Sequence, residues 1–155
     1  MSQDICTLIN DANCKNLCSI QETSLDYFNF VGKKFSVKPC HIYDGDTFSA
    51  IFNFNGQVIK YKCRCVGYDC AEMKPLKSDP NRDKEKELAK AAKERFIQLV
   101  TANPSGLCVI ECGIFDKYGR ILVTVYNGIN KESINELMIK EGHGKPYEGG
   151  TKDAW

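Results

Sequence analysis

Between Thr47 and Phe54 apolar and polar positions alternate: Phe48, Ala50, Phe52 and Phe54 fall on one side, Thr47, Ser49, Ile51 and Asn53 on the other. A period of two is the signature of a half-buried strand. Asn55-Gly56 follows, a dipeptide suited to the two positive backbone angles of a tight hairpin turn. The alternation resumes in "QVIKYKCRCVG", with Ile59, Tyr61, Cys63 and Cys65 on one face and Lys60, Lys62 and Arg64 on the other. This strand is expected to pair back antiparallel, with Arg64 ending a row of positive charge.

Strand signals begin at Phe35, and "LCVIECGIF" and "RILVTVY" supply two more strands joined through Asp116-Lys117-Tyr118-Gly119. The period changes in "SDPNRDKEKELAKAAKERFIQLV", where Leu88, Ala91, Ala92, Phe96 and Leu99 keep to one stripe of a helix and Lys and Glu take the solvated side. A second helix is expected from an N-cap near Asn130, with Ile129 and Ile134 placed for a hydrophobic staple. It would bury Ile134, Leu137 and Met138 and stop at Gly142. Five strands, one helix after the third and another after the fifth, predict an α+β, mainly β domain: a five-stranded antiparallel, partly closed barrel of the OB type with two or three helices. The pattern alone leaves a simple α+β sheet open.

Residues 1–34 stand apart as an N-terminal extension, with residues 35–155 forming the main domain. In the extension Ile5, Leu8, Ile9 and Ala12 recur at helical spacing, and Leu17, Ile20, Leu25 and Phe28 continue a looser series. A short helix or clamp that packs on the main domain is expected, in preference to a partner-binding arm.

At 155 residues and 43% apolar content the chain is long enough to bury a substantial core. Its formal charge of +1 rules out a strong overall positive field, so any basic surface must be local. No stretch approaches the roughly 18 apolar residues of a membrane span, and the first residues lack both a basic start and a long apolar block. An intracellular monomer that does not bind membranes is expected. The nine cysteines then read as reduced thiols, most of them packed as small apolar groups.

Charged residues gather in two places. Asp44-Gly45-Asp46 lies at the start of the Phe48 strand, and "RCVGYDCAE" sets Arg64, Asp69 and Glu72 just beyond the end of its partner. In an antiparallel pair closed at Asn55-Gly56 these ends meet at one rim. Two carboxylates there would repel unless a cation stood between them, and hard oxygen ligands favour Ca²⁺ or Mg²⁺. A guanidinium such as Arg64 matches phosphate oxygens with a bidentate fork, and Arg120, just after Tyr118-Gly119, could supply a second. Glu72 could orient or deprotonate a water. Together these groups complement the charge of a phosphodiester in reaction.

"YDGDTF", "RCVGYDCAE" and "DKYGR" resemble, in order and internal spacing, the signature segments of the staphylococcal nuclease family. "INELMIKEG" and "PYEGGTKDAW" are similar to its second-helix segment and to the tail of many members, so the resemblance spans about Val37 to Trp155. It implies an OB-type barrel that cleaves DNA and RNA, leaving 3′-phosphates. It also implies a Ca²⁺ site from Asp46, Asp69 and the backbone carbonyl of Cys70, with Asp44 close by. Arg64 and Arg120 would hold the phosphate, Glu72 would act on the water, and Lys117, Tyr118 and Tyr147 would line the nucleotide pocket. Three features depart from the family pattern. Cys70-Ala71 replaces a Thr-Pro pair, which removes proline's rigidity. Tyr147 is displaced by one position, and the eight residues after it are too few for the founding member's long third helix. The leader lies outside the resemblance.

The expected function is a Ca²⁺-dependent nuclease of low sequence specificity that prefers single-stranded DNA or RNA. The alternative is a catalytically inactive nuclease-like module that binds nucleic acid or protein. A third reading takes Cys14 and Cys18, Cys40 beside His41, or Cys108 and Cys112 as zinc ligands. It is disfavoured because no Cys-x-x-Cys pair exists and Cys63 and Cys65 fall on the apolar strand face.

Overall fold

A computed structural model describes residues 4–12, 14–152 and 154–155. Positions 1–3, 13 and 153, within the extension and tail read above, lie outside the described residues. The elements follow in the order α1 (Ile5–Ile9), β1 (Lys34–Cys40), β2 (Thr47–Phe54), β3 (Gln57–Cys65), β4 (Tyr68–Cys70), α2 (Arg82–Val100), β5 (Cys108–Phe115), β6 (Ile121–Tyr126), α3 (Ile134–Lys140) and β7 (Gly144–Pro146). Short 3-10 turns at Lys15–Ser19 and Glu22–Ser24 join α1 to the rest.

Strands close into a barrel in the order β1-β2-β3-β6-β5, so the expected OB-type barrel is present. One expectation is corrected: the barrel is mixed, because β3 pairs β6 in parallel at Cys63↔Ile121, Arg64↔Leu122 and Cys65↔Val123. The reason is parity. A closed ring with an odd number of strands cannot alternate direction all the way round, so closure of five requires a parallel pair. β4 and β7, short segments without a readable period, form a separate two-stranded sheet at the rim.

The hairpin turn behaves as its dipeptide dictates, with φ of +49° at Asn55 and +76° at Gly56. From that turn the register runs unbroken from Phe54↔Gln57 to Thr47↔Arg64. The alternation therefore puts Phe48, Ala50, Phe52, Cys63 and Cys65 in the interior, where Val37, Cys108, Ile110, Cys112, Ile121, Val123 and Val125 meet them. Burial pushes the Cys63, Cys65, Cys70, Cys108 and Cys112 thiols up from their ordinary value, so these groups pack as neutral apolar side chains. Cys6, Cys14 and Cys18 are exposed.

Helix α2 lies against the barrel through Ala89, Ala92, Phe96, Leu99 and Val100, with the Phe96 and Phe48 rings 5.5 Å apart. The expected stripe is rotated. Ala91 is exposed and Leu88 only half-buried, while Ala89 is inside and the small Ala92 lets Gly45 of the 44–46 loop come close. The start of α3 is also corrected. Ser133 is the N-cap, in a capping box with Glu136, and the Asn130 side chain instead accepts from Asn127 Nδ2. Ile129 stays exposed and forms no staple, whereas Ile134, Leu137 and Met138 are buried as expected.

The extension anchors through its last residues, where Gly32 and Lys33 also pair with the Cys112 backbone. Helix α1 buries none of its residues, so its apolar stripe does not pack as expected. Phe30, 2% exposed, instead plugs the open end of the barrel edge-on against Phe35, Phe52, Phe54, Tyr61 and Phe115, with Phe28 beside it. Among the described residues, no helix is long and apolar enough to cross a membrane.

Candidate active site

The hairpin register brings Asp46 beside the end of β3: the Cys65 N–H donates to the Asp46 carbonyl at 2.8 Å, and Arg64 lies opposite Thr47. Gly45 serves here through its lack of a side chain, since a Cβ would come within 2.7 Å of Cys70 Sγ and 3.0 Å of Ala92 Cβ. Its role is to permit this close approach. The buried Tyr68 hydroxyl donates to the Gly45 carbonyl at 2.7 Å and ties the 44–46 loop to β4.

Arg64 joins the two acidic segments. Its Nη1 contacts Asp46 Oδ2, and its Nη2 donates to Asp69 Oδ1 at 3.1 Å. Asp46 and Asp69 are only 3% and 5% exposed. Asp46 Oδ2 also accepts from the Cys70 N–H at 3.1 Å, and Oδ1 from Thr47 Oγ1 at 2.9 Å. Burial alone would raise the Asp46 carboxyl, but Arg64, together with the side-chain hydrogen bonds of Asp44 and Thr47, outweighs it and holds the carboxyl below its usual range. Burial would likewise lower Arg64, yet Asp46 and Asp69 outweigh it and push the guanidinium further up. At Asp44 burial, and then the charge of Asp46, push the carboxyl up to about 7. The Asp46 N–H, which donates to Asp44 Oδ1 at 3.1 Å, and the Arg64 charge lower it too little to offset what raises it.

Asp44, Asp46 and Asp69 gather hard oxygen donors in this space, the kind of ligand a hard divalent cation takes. Among the described residues no three His, Cys, Asp or Glu side chains converge as a closed metal cluster. A cation here would instead take the Asp46 and Asp69 carboxylates, a main-chain carbonyl and water. Such an oxygen-only set fits Ca²⁺ or Mg²⁺ and does not fit zinc.

Arg120 is placed by Asp116 at the tip of the β5–β6 hairpin. Asp116 Oδ1 accepts from the N–H groups of Tyr118 and Arg120, both at 2.9 Å, and Oδ2 accepts from Arg120 Nε at 2.7 Å. Asp116, in the turn that joins the two strands, thus aims the second guanidinium. Tyr118 is 72% exposed, with the Lys117 ammonium 5.1 Å and the Arg120 guanidinium 5.3 Å from its ring.

A cleft of about 640 Å³ collects these groups, lined by Arg64, Lys117, Tyr118, Arg120 and Tyr147 among others. Tyr147 is held there by its N–H to the Gly67 carbonyl at 3.0 Å and its hydroxyl to the Gly150 carbonyl at 2.9 Å. The remaining expected residues lie at the edge. Asp69 and Glu72 line an adjoining groove with Trp155, and Cys70 is buried behind it. Lys152 borders both cavities and binds Asp69 Oδ1 at 3.1 Å and Glu72 Oε1 at 2.9 Å. Nothing in the local pattern around Lys152 marks it out, because its partners lie far back in the sequence.

The rim of this OB-type barrel carries two guanidiniums, an exposed Tyr118 and a half-buried Tyr147 around one cleft, with buried carboxylates behind Arg64, and groups of these kinds can hold a phosphate ester and a base. The family model for the staphylococcal nuclease homologue matches residues 62–153, more than half of the sequence. The chain belongs to the staphylococcal nuclease homologue family. No individual curated protein matches it.

Proposed function

We propose that the protein is a Ca²⁺-dependent nuclease that hydrolyses phosphodiester bonds of DNA and RNA with low sequence specificity and leaves 3′-phosphates. The observation that carries this reading is the shared cleft: Arg64, bound to both buried aspartates, and Arg120, bound to Asp116, open onto the same space.

Each residue then has a task. Arg64 and Arg120 grip the non-bridging phosphate oxygens and oppose the charge that builds as the bond breaks. Tyr118 and Tyr147 offer rings to a base, and Lys117 adds charge beside them. Such stacking needs an unpaired base, so single strands are the preferred substrate. Asp46, Asp69 and the Cys70 carbonyl would hold the cation, which would supply further neutralisation of phosphate charge. Glu72 orients water from the adjoining groove, with Lys152 holding its carboxylate.

The test is digestion of end-labelled single-stranded DNA and RNA with Ca²⁺, with EDTA, and with neither, followed by identification of the product termini. Ca²⁺-dependent products with 3′-phosphates support the reading. Retained binding without cleavage under all three conditions assigns the chain to the inactive nuclease-like modules instead.

A further inference from the structure

Three lysines outside the cleft share one solvent-facing row of the barrel. Lys38 on β1 is in register with Ile51 on β2, and Ile51 is in register with Lys60 on β3, which sets both lysines on the same face about 10 Å apart. Lys62 and Arg64 continue that face along β3, about 7 Å per step. All three lysines are exposed. Among the described residues, none forms a salt bridge with a carboxylate. Lys34, at the far end of β1, differs, since Glu111 lies 3.7 Å from it.

No acidic residue occupies the positions of β2 and β3 on the lysines' side, which are Thr47, the buried Ser49, Ile51 and Asn53 on β2 and Val58, Lys60, Lys62 and Arg64 on β3. The three lysines therefore make a local basic track that leads toward Arg64, which lines the wall of the cleft and shares its own charge with Asp46 and Asp69. Three unpaired ammonium groups on adjacent strands repel one another in the isolated protein, and a polyanion laid across them removes that repulsion.

We infer that Lys38, Lys60 and Lys62 form an extended phosphate-binding track for a nucleic-acid single strand, holding nucleotides that lead away from the bond in the cleft. This rests on the nuclease reading above and adds to it a second binding region, which short substrates do not reach. The track contributes charge without reading bases, so it favours length over sequence.

The test uses the full chain and two labelled probes, a dinucleotide and an oligothymidylate of about 12 nucleotides, comparable to the span of one OB barrel. Binding of the long probe is followed by fluorescence anisotropy in EDTA over a series of salt concentrations. Each phosphate contact to a single strand contributes about 0.7 to the slope of log K against log salt. The triple variant Lys38→Gln, Lys60→Gln, Lys62→Gln is expected to lower the slope by about 2 and to weaken binding on the order of 100-fold at 0.1 M salt. The corresponding triple Arg variant keeps the wild-type slope. An unchanged slope in the Gln variant overturns the track. Dinucleotide cleavage in Ca²⁺ reports separately on the parent reading: it is expected to be equal in wild type and Gln variant. A parallel loss in the Gln variant assigns these lysines to the cleft itself and overturns a separate track, whereas a wild type that cleaves neither probe defeats the nuclease reading.

Discussion

Lys152 donates to Glu72 Oε1 at 2.9 Å although the two residues are 80 positions apart, and the same ammonium sits 3.1 Å from Asp69 Oδ1. Burial would lower this lysine, but Glu72 and Asp69 outweigh it and hold it charged. The tail thus sets a fixed positive charge on a carboxylate proposed to bind the metal. Lys152→Met is expected to tighten Ca²⁺ binding several-fold by titration calorimetry, because a competing cation has left Asp69. Weaker binding in that variant would show that Lys152 supports the metal site.

Arg64 is the counter-ion of two carboxylates that are almost wholly buried. Removing one partner of a buried ion pair leaves charge uncompensated, at a cost of about 3–5 kcal/mol. Arg64→Gln is expected to lose stability on that scale in urea unfolding without Ca²⁺, to regain part of it when Ca²⁺ is added, and to lose turnover. No gain on Ca²⁺ addition would argue against a cation site at Asp46 and Asp69.

Arg120 is anchored by Asp116 and contributes little to the core, so its replacement separates chemistry from folding. Arg120→Lys keeps the charge and loses the planar fork. Turnover is expected to fall by about 10²–10³ with the melting temperature nearly unchanged, as for the loss of one transition-state donor. A rate near wild type would remove Arg120 from the proposed mechanism.

Burial alone would raise the Asp116 carboxyl, but the N–H groups of Arg120 and Tyr118 and the Arg120 guanidinium outweigh it and lower the folded-state value. A depressed carboxyl adds stability that is present above its unfolded value, about 3.9, and is lost as pH falls through the lower folded-state value. Asp116→Asn is therefore expected to be less stable than wild type by about 1–2 kcal/mol at neutral pH. The gap should close in acid, and unfolding curves across that range decide it. A gap that widens in acid has the wrong sign.

Phe30 lies outside the matched residues 62–153 yet plugs the barrel end among five rings. Phe30→Ala is expected to cost about 3–5 kcal/mol in equilibrium unfolding. Ile5→Ser, on the exposed helix α1, should change stability by less than about 0.5 kcal/mol. Equal effects from both would mean that the extension packs as a unit.

Much of the barrel was legible because strand and turn signals are local. The Phe48–Phe54 alternation, the Asn55-Gly56 turn and the Lys60–Arg64 face all follow from period and backbone sterics, and together they set Asp46 beside Arg64. Helix boundaries were less legible. Ser133 and Asn130 are both acceptable caps by residue type, and only the packing of Asn127 against Asn130 and Leu99 leaves Ser133 to begin α3. The parallel β3–β6 pair had no local signal, since it follows from ring closure.

By itself the sequence determined the barrel strands, the β2–β3 hairpin register and the grouping of Asp44, Asp46, Arg64 and Asp69 at one rim, because each depends on neighbours within one hairpin or one short segment beyond it. Only the tertiary structure decided that Arg120 shares a cleft with Arg64, that Glu72 stands in the adjoining groove, and that Lys152 closes onto Asp69. Those relationships arise where β6 docks on β3 and where β7 pairs with β4, contacts between segments far apart in the chain. Their stabilisation comes from burial and pairing of distant groups, which local periodicity does not encode.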